Sequence, residues 1–261
     1  MSGSDAGGEG TADKWFIRFK PVPEAKVRLY LFNHAGAGAN AFFPWAAALA
    51  PEVEVWGVQL PGRERRFTEP FLLDLEEAVI ELADVFGDAP PLPWAFFGHS
   101  MGSQLAFELA RELRGRDVGE PVHLGVAARV APHLPLPDPP DVMTCPEDEL
   151  LAFIDRHYGG FPKDLRREPE LMQMFLPQLR ADLKMLFSYA YVDESPLSCA
   201  MNAYSGEEDR GVSANGVAEW GRHTTGPYAH RTVPGDHFFI HSARDAFLDV
   251  YRKDLLAALE R

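Results

Sequence analysis

The feature that most constrains this chain is the stretch Phe96–Gln104, FFGHSMGSQ, in which Ser100 stands between two glycines with an apolar run before it and a helical pattern after it. A glycine-x-serine-x-glycine pattern alone is common. Set between the buried strand WAFF and the amphipathic helix SQLAFELARELR, it implies a tight strand-to-helix turn that exposes the serine hydroxyl at the end of a sheet. The helix N-terminus then points at whatever negative charge develops there. Such a turn presupposes strands joined by helices, so the stretch bears on the fold as much as on the chemistry.

The neighbouring segments agree. KWFIRF and VRLYLFNHA read as strands, NAFFPWAAALA as a helix, and VEVWGVQLPG as a third strand closed by a Pro-Gly pair. LLDLEEAVIELADVF places Leu75, Ala78, Val79, Leu82 and Phe86 on one face at helical spacing, and VHLGVAARV is a further strand. After the proline-rich APHLPLPDPPD, the segment from about 143 to 193 carries only helix signals. The alternation resumes with LSCAMNAYSG, the helical NGVAEWGRHT, the strand YAHRTVPG and a last helix over Ser242–Leu259. These signals predict an α/β fold with a mostly parallel central sheet flanked by helices, in one domain spanning 14–261. The inserted helices at about 143–193 are expected to form a lid over the strand ends, where ligands bind in such folds. Residues 1–13, MSGSDAGGEGTAD, are expected to be a disordered tail.

Charge and cysteine usage narrow the function classes. A formal charge of −14 and a pI near 5.0 argue against a nucleic-acid or anionic-membrane surface. No run approaches the roughly 18 apolar residues of a membrane span, and the N-terminus lacks the basic start and apolar stretch of a signal peptide, so a cytoplasmic protein is expected. Cys145 and Cys199 are too few and too far apart to suggest a disulfide framework or a metal site.

A serine hydroxyl needs a base, and in this architecture the order along the chain is serine, acid, histidine. His237, in VPGDHFFIH, follows a strand and a Pro-Gly loop and leads into the last helix, which suits the base; His241 is its competitor. Asp209, ending a late strand in YSGEEDRGV, suits the acid that orients it, with Glu207 and Glu208 as close rivals and Asp236 as a less suitable one. The oxyanion of the intermediate needs two donors. The Met101 N–H follows the nucleophile, and the small residues of FNHAGAGAN nominate the Ala35 N–H as the second.

Together these stretches resemble the type II (editing) thioesterases of polyketide and nonribosomal peptide synthetase systems. HAGAG, LPGRE, FFGHSMGSQLAFELA, APHLP, LPQLRAD, the Gly206 to Asp209 spacing, EW and GDHFF stand in that family's order, and LPGRE with LPQLRAD is the most specific combination. Asn33 replaces a usual proline before HAG, and AARVAP replaces a usual Ser-Gly start. The resemblance implies an α/β-hydrolase fold, the triad Ser100, Asp209 and His237, and a flexible lid over an acyl chamber. It also implies a hydrolysis that needs no cofactor. The implied substrate is an acyl thioester on the phosphopantetheine arm of an acyl or peptidyl carrier protein, cleared when the acyl group is aberrant. A medium-chain fatty acid synthase thioesterase, a carboxylesterase or lipase, and a non-catalytic scaffold are the alternatives. A monomer is expected. Within the lid, Met172, Met174, Phe175, Met185 and Phe187 are expected to contact the acyl chain, because soft and aromatic side chains adapt to varied apolar shapes. Arg63, Arg65 and Arg66, after a strand end in LPGRERRF, are expected to dock the carrier.

Overall fold

The computed structural model describes residues 11–87, 90–159 and 165–260. Its seven strands are β1 (Phe16–Arg18), β2 (Val27–Phe32), β3 (Val53–Val58), β4 (Trp94–His99), β5 (His123–Ala127), β6 (Ala200–Gly206) and β7 (Tyr228–Val233). They form one sheet in the order β1-β3-β2-β4-β5-β6-β7. Only β1 runs antiparallel, pairing Ile17 with Gly57 of β3. This is the α/β-hydrolase fold, with a mostly parallel sheet between helices. The chain leaves β2 toward β3 on one side and returns to β4 on the other, so the strand order reverses between β2 and β4. The crevice at the carboxyl ends of two such strands is where open α/β sheets bind ligands.

The central strands are apolar on both faces, as burial from both sides requires: Leu29, Leu31, Phe96, Phe97, Leu124 and Val126 are wholly buried. The described helices are α1 (Thr11–Trp15), α2 (Phe43–Ala48), α3 (Leu75–Phe86), α4 (Met101–Gly115), α5 (Glu147–His157), α6 (Pro169–Ser188), α7 (Ala214–Ala218), α8 (Phe239–Ser242) and α9 (Arg244–Leu259). Residues of α3, α4, α5 and α6 share one hydrophobic core with one sheet face, whereas α2 and α9 pack Trp45, Phe247 and Tyr251 against Phe97 on the other. Asp74 caps α3 by accepting from the N–H groups of Glu76 and Glu77 at 2.9 and 3.2 Å.

Local detail departs from the sequence expectation in three places. Residues 1–10 of the expected tail lie outside the described residues, and α1 reaches back into its last part, with Trp15 buried at its end. That turn shortens the KWFIRF strand to Phe16–Arg18. The last helix is broken at Ala243 into α8 and α9.

Candidate active site

The elbow between β4 and α4 explains both glycines of its motif. Ser100 has φ 54° and ψ −116°, a left-handed conformation that a non-glycine residue adopts only when its surroundings impose it. The turn folds so tightly that a Cβ on Gly98 would lie 2.1 Å from the Gly102 carbonyl oxygen, and one on Gly102 would lie 2.0 Å from that of Phe32. Hydrogen bonds hold the strain in place. Ser100 N–H donates to the Ala127 carbonyl at 2.8 Å, and the Ser103 hydroxyl donates to the Gly98 carbonyl at 2.8 Å while accepting from Ala127 N–H at 3.0 Å.

His237 lies in the loop after β7, and its Nδ1 is 2.8 Å from Asp209 Oδ2, with both side chains almost fully buried. The other carboxylate oxygen of Asp209 accepts from the N–H groups of Gly211 and Val212 at 3.0 and 3.1 Å. A carboxylate so placed is an acceptor, so His237 Nδ1 carries the proton and Nε2 presents a lone pair. The rivals are elsewhere: Glu207 and Glu208 are exposed, and Asp236 Oδ1 accepts from Phe238 N–H at 2.9 Å. His241 sits in α8 with Nε2 3.4 Å from His34 Nε2.

His99 stands inside the elbow motif, and its place in the sequence gives it no part in the chemistry. In the structure its Nε2–H donates to the His237 carbonyl at 2.8 Å, and the two rings lie 5.4 Å apart. Burial pushes the His99 imidazole well below its ordinary range, so it stays neutral. It ties the elbow to the loop that carries His237. No sequence signal marks this, because the bond joins a wholly buried side chain to a distant backbone carbonyl. Among the described residues no hydrogen bond joins Ser100 to His237 directly. That contact tightens only with substrate in many hydrolases.

The loop after β2 carries Ala35. Asn33 at its start donates from Nδ2 to the Val58 carbonyl at 3.2 Å, linking the ends of β2 and β3 where a proline could offer no such bond. Gly36 has φ 82°, and its N–H donates to Asp182 Oδ2 at 2.7 Å. Arg63 grips the same carboxylate through both amino groups, Nη1 to Oδ2 at 2.8 Å and Nη2 to Oδ1 at 2.6 Å, and reaches the Ala37 carbonyl at 3.0 Å. LPGRE and LPQLRAD are therefore joined in space: α6 of the inserted segment is pinned, through Asp182, to the candidate oxyanion loop. Met101 opens α4, so no preceding helical turn claims its N–H.

This arrangement corrects two expectations. Arg63 is 3% and Arg66 6% exposed, so neither is free to dock a partner. Arg66 donates to the Gln59 carbonyl at 3.0 Å, pairs with Glu69 at 2.6 Å and lies 4.0 Å from the Trp15 ring centre. Both guanidinium groups are consumed in closing a loop against a strand end, and only Arg65 is exposed. In the inserted segment, Met172 and Met185 are buried in the core and Phe187 packs 5.9 Å from Phe153, while Met174 is 61% exposed. Phe175 alone among the five meets the candidate site: a Cβ on Gly36 would fall 2.6 Å from its ring. Side-chain softness alone does not separate residues that pack against the body, such as Met172 and Met185, from one left in solvent, such as Met174.

A cleft of about 800 Å³ opens beside Asp209, His237 and Tyr158, and one of about 540 Å³ adjoins it, sharing Tyr158 and Asp209 and adding Arg129. Cys145 and Cys199 are buried free thiols, and among the described residues no group of histidine, cysteine, aspartate or glutamate side chains is placed to hold a metal ion. No helix among them is long and apolar enough to cross a membrane.

Comparison with known proteins identifies the family. A thioesterase-domain family model matches residues 27–255. The gramicidin S biosynthesis protein GrsT of Aneurinibacillus migulanus is 35% identical over 247 residues, 95% of this chain and 96% of that one. Thioesterase PikA5 of Streptomyces venezuelae is 39% identical over 234 residues, 87% of this chain and 80% of that one. The solved structure of BorB, a type II thioesterase from the borrelidin biosynthetic cluster, superposes with a TM-score of 0.80 at 34% identity, covering 93% of this chain and 97% of its own. Nearly the whole chain, including the elbow, the Asp209–His237 pair and the pinned loop, lies within these matches, and it belongs to the thioesterase family.

Proposed function

We propose that this thioesterase removes stray acyl groups from the phosphopantetheine arm of carrier proteins in polyketide or nonribosomal peptide synthesis, with Ser100 as nucleophile, His237 as base and Asp209 as the acid that orients it. His237 Nε2 takes the hydroxyl proton as Ser100 Oγ attacks the thioester carbonyl. The N–H groups of Met101 and Ala35 receive the oxyanion. Collapse of the tetrahedral intermediate expels the thiol, which takes the proton from the imidazolium and leaves an acyl-serine. Water then adds to the ester carbonyl with the same imidazole as base, and the free acid departs as Ser100 recovers its proton. The observation that carries this reading is the buried 2.8 Å bond between Asp209 and His237, which leaves Nε2 as the base.

Similarity over almost the full length to a gramicidin S biosynthesis protein and to a type II thioesterase of a biosynthetic cluster supports the editing role over ester hydrolysis. The inserted α5 and α6 then act as the lid of the acyl chamber. The test is turnover of acyl-pantetheine thioesters against matched oxygen esters, with and without Ser100→Ala. The variant should be inactive yet folded, and should lose covalent labelling by a serine-directed phosphonate. Labelling at another serine, or a preference for the oxygen ester, would overturn the assignment.

A further inference from the structure

Arg129 follows β5 and Ala128, whose φ of 52° turns the chain sharply at the strand end. The Arg129 side chain is 4% exposed. No carboxylate among the described residues pairs with it, and Nε has no hydrogen-bond partner. The ionisable groups that act on it are the tyrosines Tyr158 and Tyr189. Burial pushes the guanidinium down to about 10, which still leaves it charged at neutral pH. A buried cation without an anion is costly, and proteins seldom keep one unless a partner arrives.

Beside it stands a second unmet donor. Tyr158, at the end of α5, has a buried hydroxyl with no partner among the described residues, and its ring lies 5.3 Å from that of His237. Arg129 and Tyr158 line the same cleft with Asp209. The two orphan donors thus converge next to the base. A fork of guanidinium N–H groups beside a phenol is the donor set that suits a carboxylate.

Resting on the thioesterase reading, we propose that Arg129 and Tyr158 form a subsite for a carboxylate carried by the acyl group itself, so that the substrates include dicarboxylic half-thioesters. The position favours the acyl group over the phosphate of the pantetheine arm, which lies at the arm's far end from the thioester. The surroundings explain why a cation is needed. Glu207, Glu208 and Asp236 line the adjoining cleft with the exposed Arg166 and Arg210, and Arg129 adds a buried cation to offset their repulsion of a carboxyacyl chain.

The test compares kcat/KM on succinyl- or malonyl-pantetheine with that on butyryl-pantetheine. Arg129→Met should lower the ratio of charged to neutral turnover tenfold or more, and Tyr158→Phe about tenfold, since one hydrogen bond to a charged group is lost. Because Tyr158→Phe removes one oxygen, it keeps the test open if Arg129→Met fails to fold. An unchanged ratio, with equal losses on both substrates or none on either, would overturn the proposal. So would a loss that follows the phosphate, appearing on butyryl-phosphopantetheine but not on butyryl-pantetheine. If the wild-type protein hydrolysed no thioester, the function itself would fail. The subsite would still be tested by calorimetric titration of succinyl-pantetheine into Ser100→Ala protein, where adding Arg129→Met should weaken binding tenfold or more; undiminished binding would overturn it.

Discussion

The two flanks of the candidate site place a buried arginine in opposite circumstances. On one flank, where α6 meets the loop after β2, Arg63 and Asp182 form a two-pronged pair that also holds Gly36 N–H and the Ala37 carbonyl. On the other, where α5 meets the loop after β5, Arg129 and Tyr158 face a cleft with donors to spare. The first flank has its anion built into the chain and is a fixed brace. The second lacks one and is where a ligand can enter. The difference teaches that a buried charge is read by its partner: satisfied, it positions a backbone; unsatisfied, it asks for a substrate group.

Between catalysis and these flanks stands the bond of Asp209 to His237, and removing its proton acceptor should produce the largest effect. Asp209→Asn is expected to lower kcat about 10⁴-fold, since the amide favours the wrong imidazole tautomer. A loss under tenfold, or a greater one in Glu208→Gln, would mean that another acid does the work. The brace is tested by Asp182→Asn, which leaves the Arg63 charge buried and underpaired. Stability should fall by about 3–5 kcal/mol on chemical denaturation. Activity should fall with it, because Gly36 loses its anchor. A stable, fully active Asp182→Asn protein would erase the contrast between the flanks.

Acidification tests the groups that burial holds neutral. Burial pushes His123 down to about 4 and does the same to His34 and His223. Between about pH 6.5 and pH 4 the unfolded chain binds these protons and the folded one does not, so stability falls as pH falls. His123 alone should cost roughly 2 kcal/mol between pH 7 and pH 5. Equal denaturation midpoints at pH 7 and pH 5 would contradict this. Arg129→Met should then change stability by less than about 1 kcal/mol, or raise it, since an apolar side chain relieves an unpaired buried charge. A loss as large as that of Asp182→Asn would make Arg129 a second brace. The smallest effect is expected at Arg65, the exposed residue of its trio. Arg65→Glu should lower kcat/KM on an acyl-carrier substrate several-fold, about 1 kcal/mol, and spare short acyl-pantetheines. Equal change on both would remove it from the docking surface.

Much of this was legible in residue order. The elbow needs glycine at 98 and 102 for reasons of local space, alternating strand and helix signals imply a parallel sheet, and the order Ser100, Asp209, His237 follows from where strands end. These are properties of contiguous segments, and periodicity and turn chemistry encode them within a few residues of one another. Which of the adjacent acids meets the imidazole was not encoded in that way. Glu207, Glu208 and Asp209 are alike in charge, and only the turn after β6, closed by the N–H groups of Gly211 and Val212, aims Asp209 inward. The fate of the arginines was still less local. Arg63 and Arg129 each follow a strand end, yet one meets an aspartate more than a hundred residues later and the other meets none among the described residues. Sequence determined the scaffold and the order of the chemistry, because those arise from neighbours along the chain. Tertiary structure alone decided which charges are paired and which stand open, because desolvation and partnership depend on what distant segments bring to the same place.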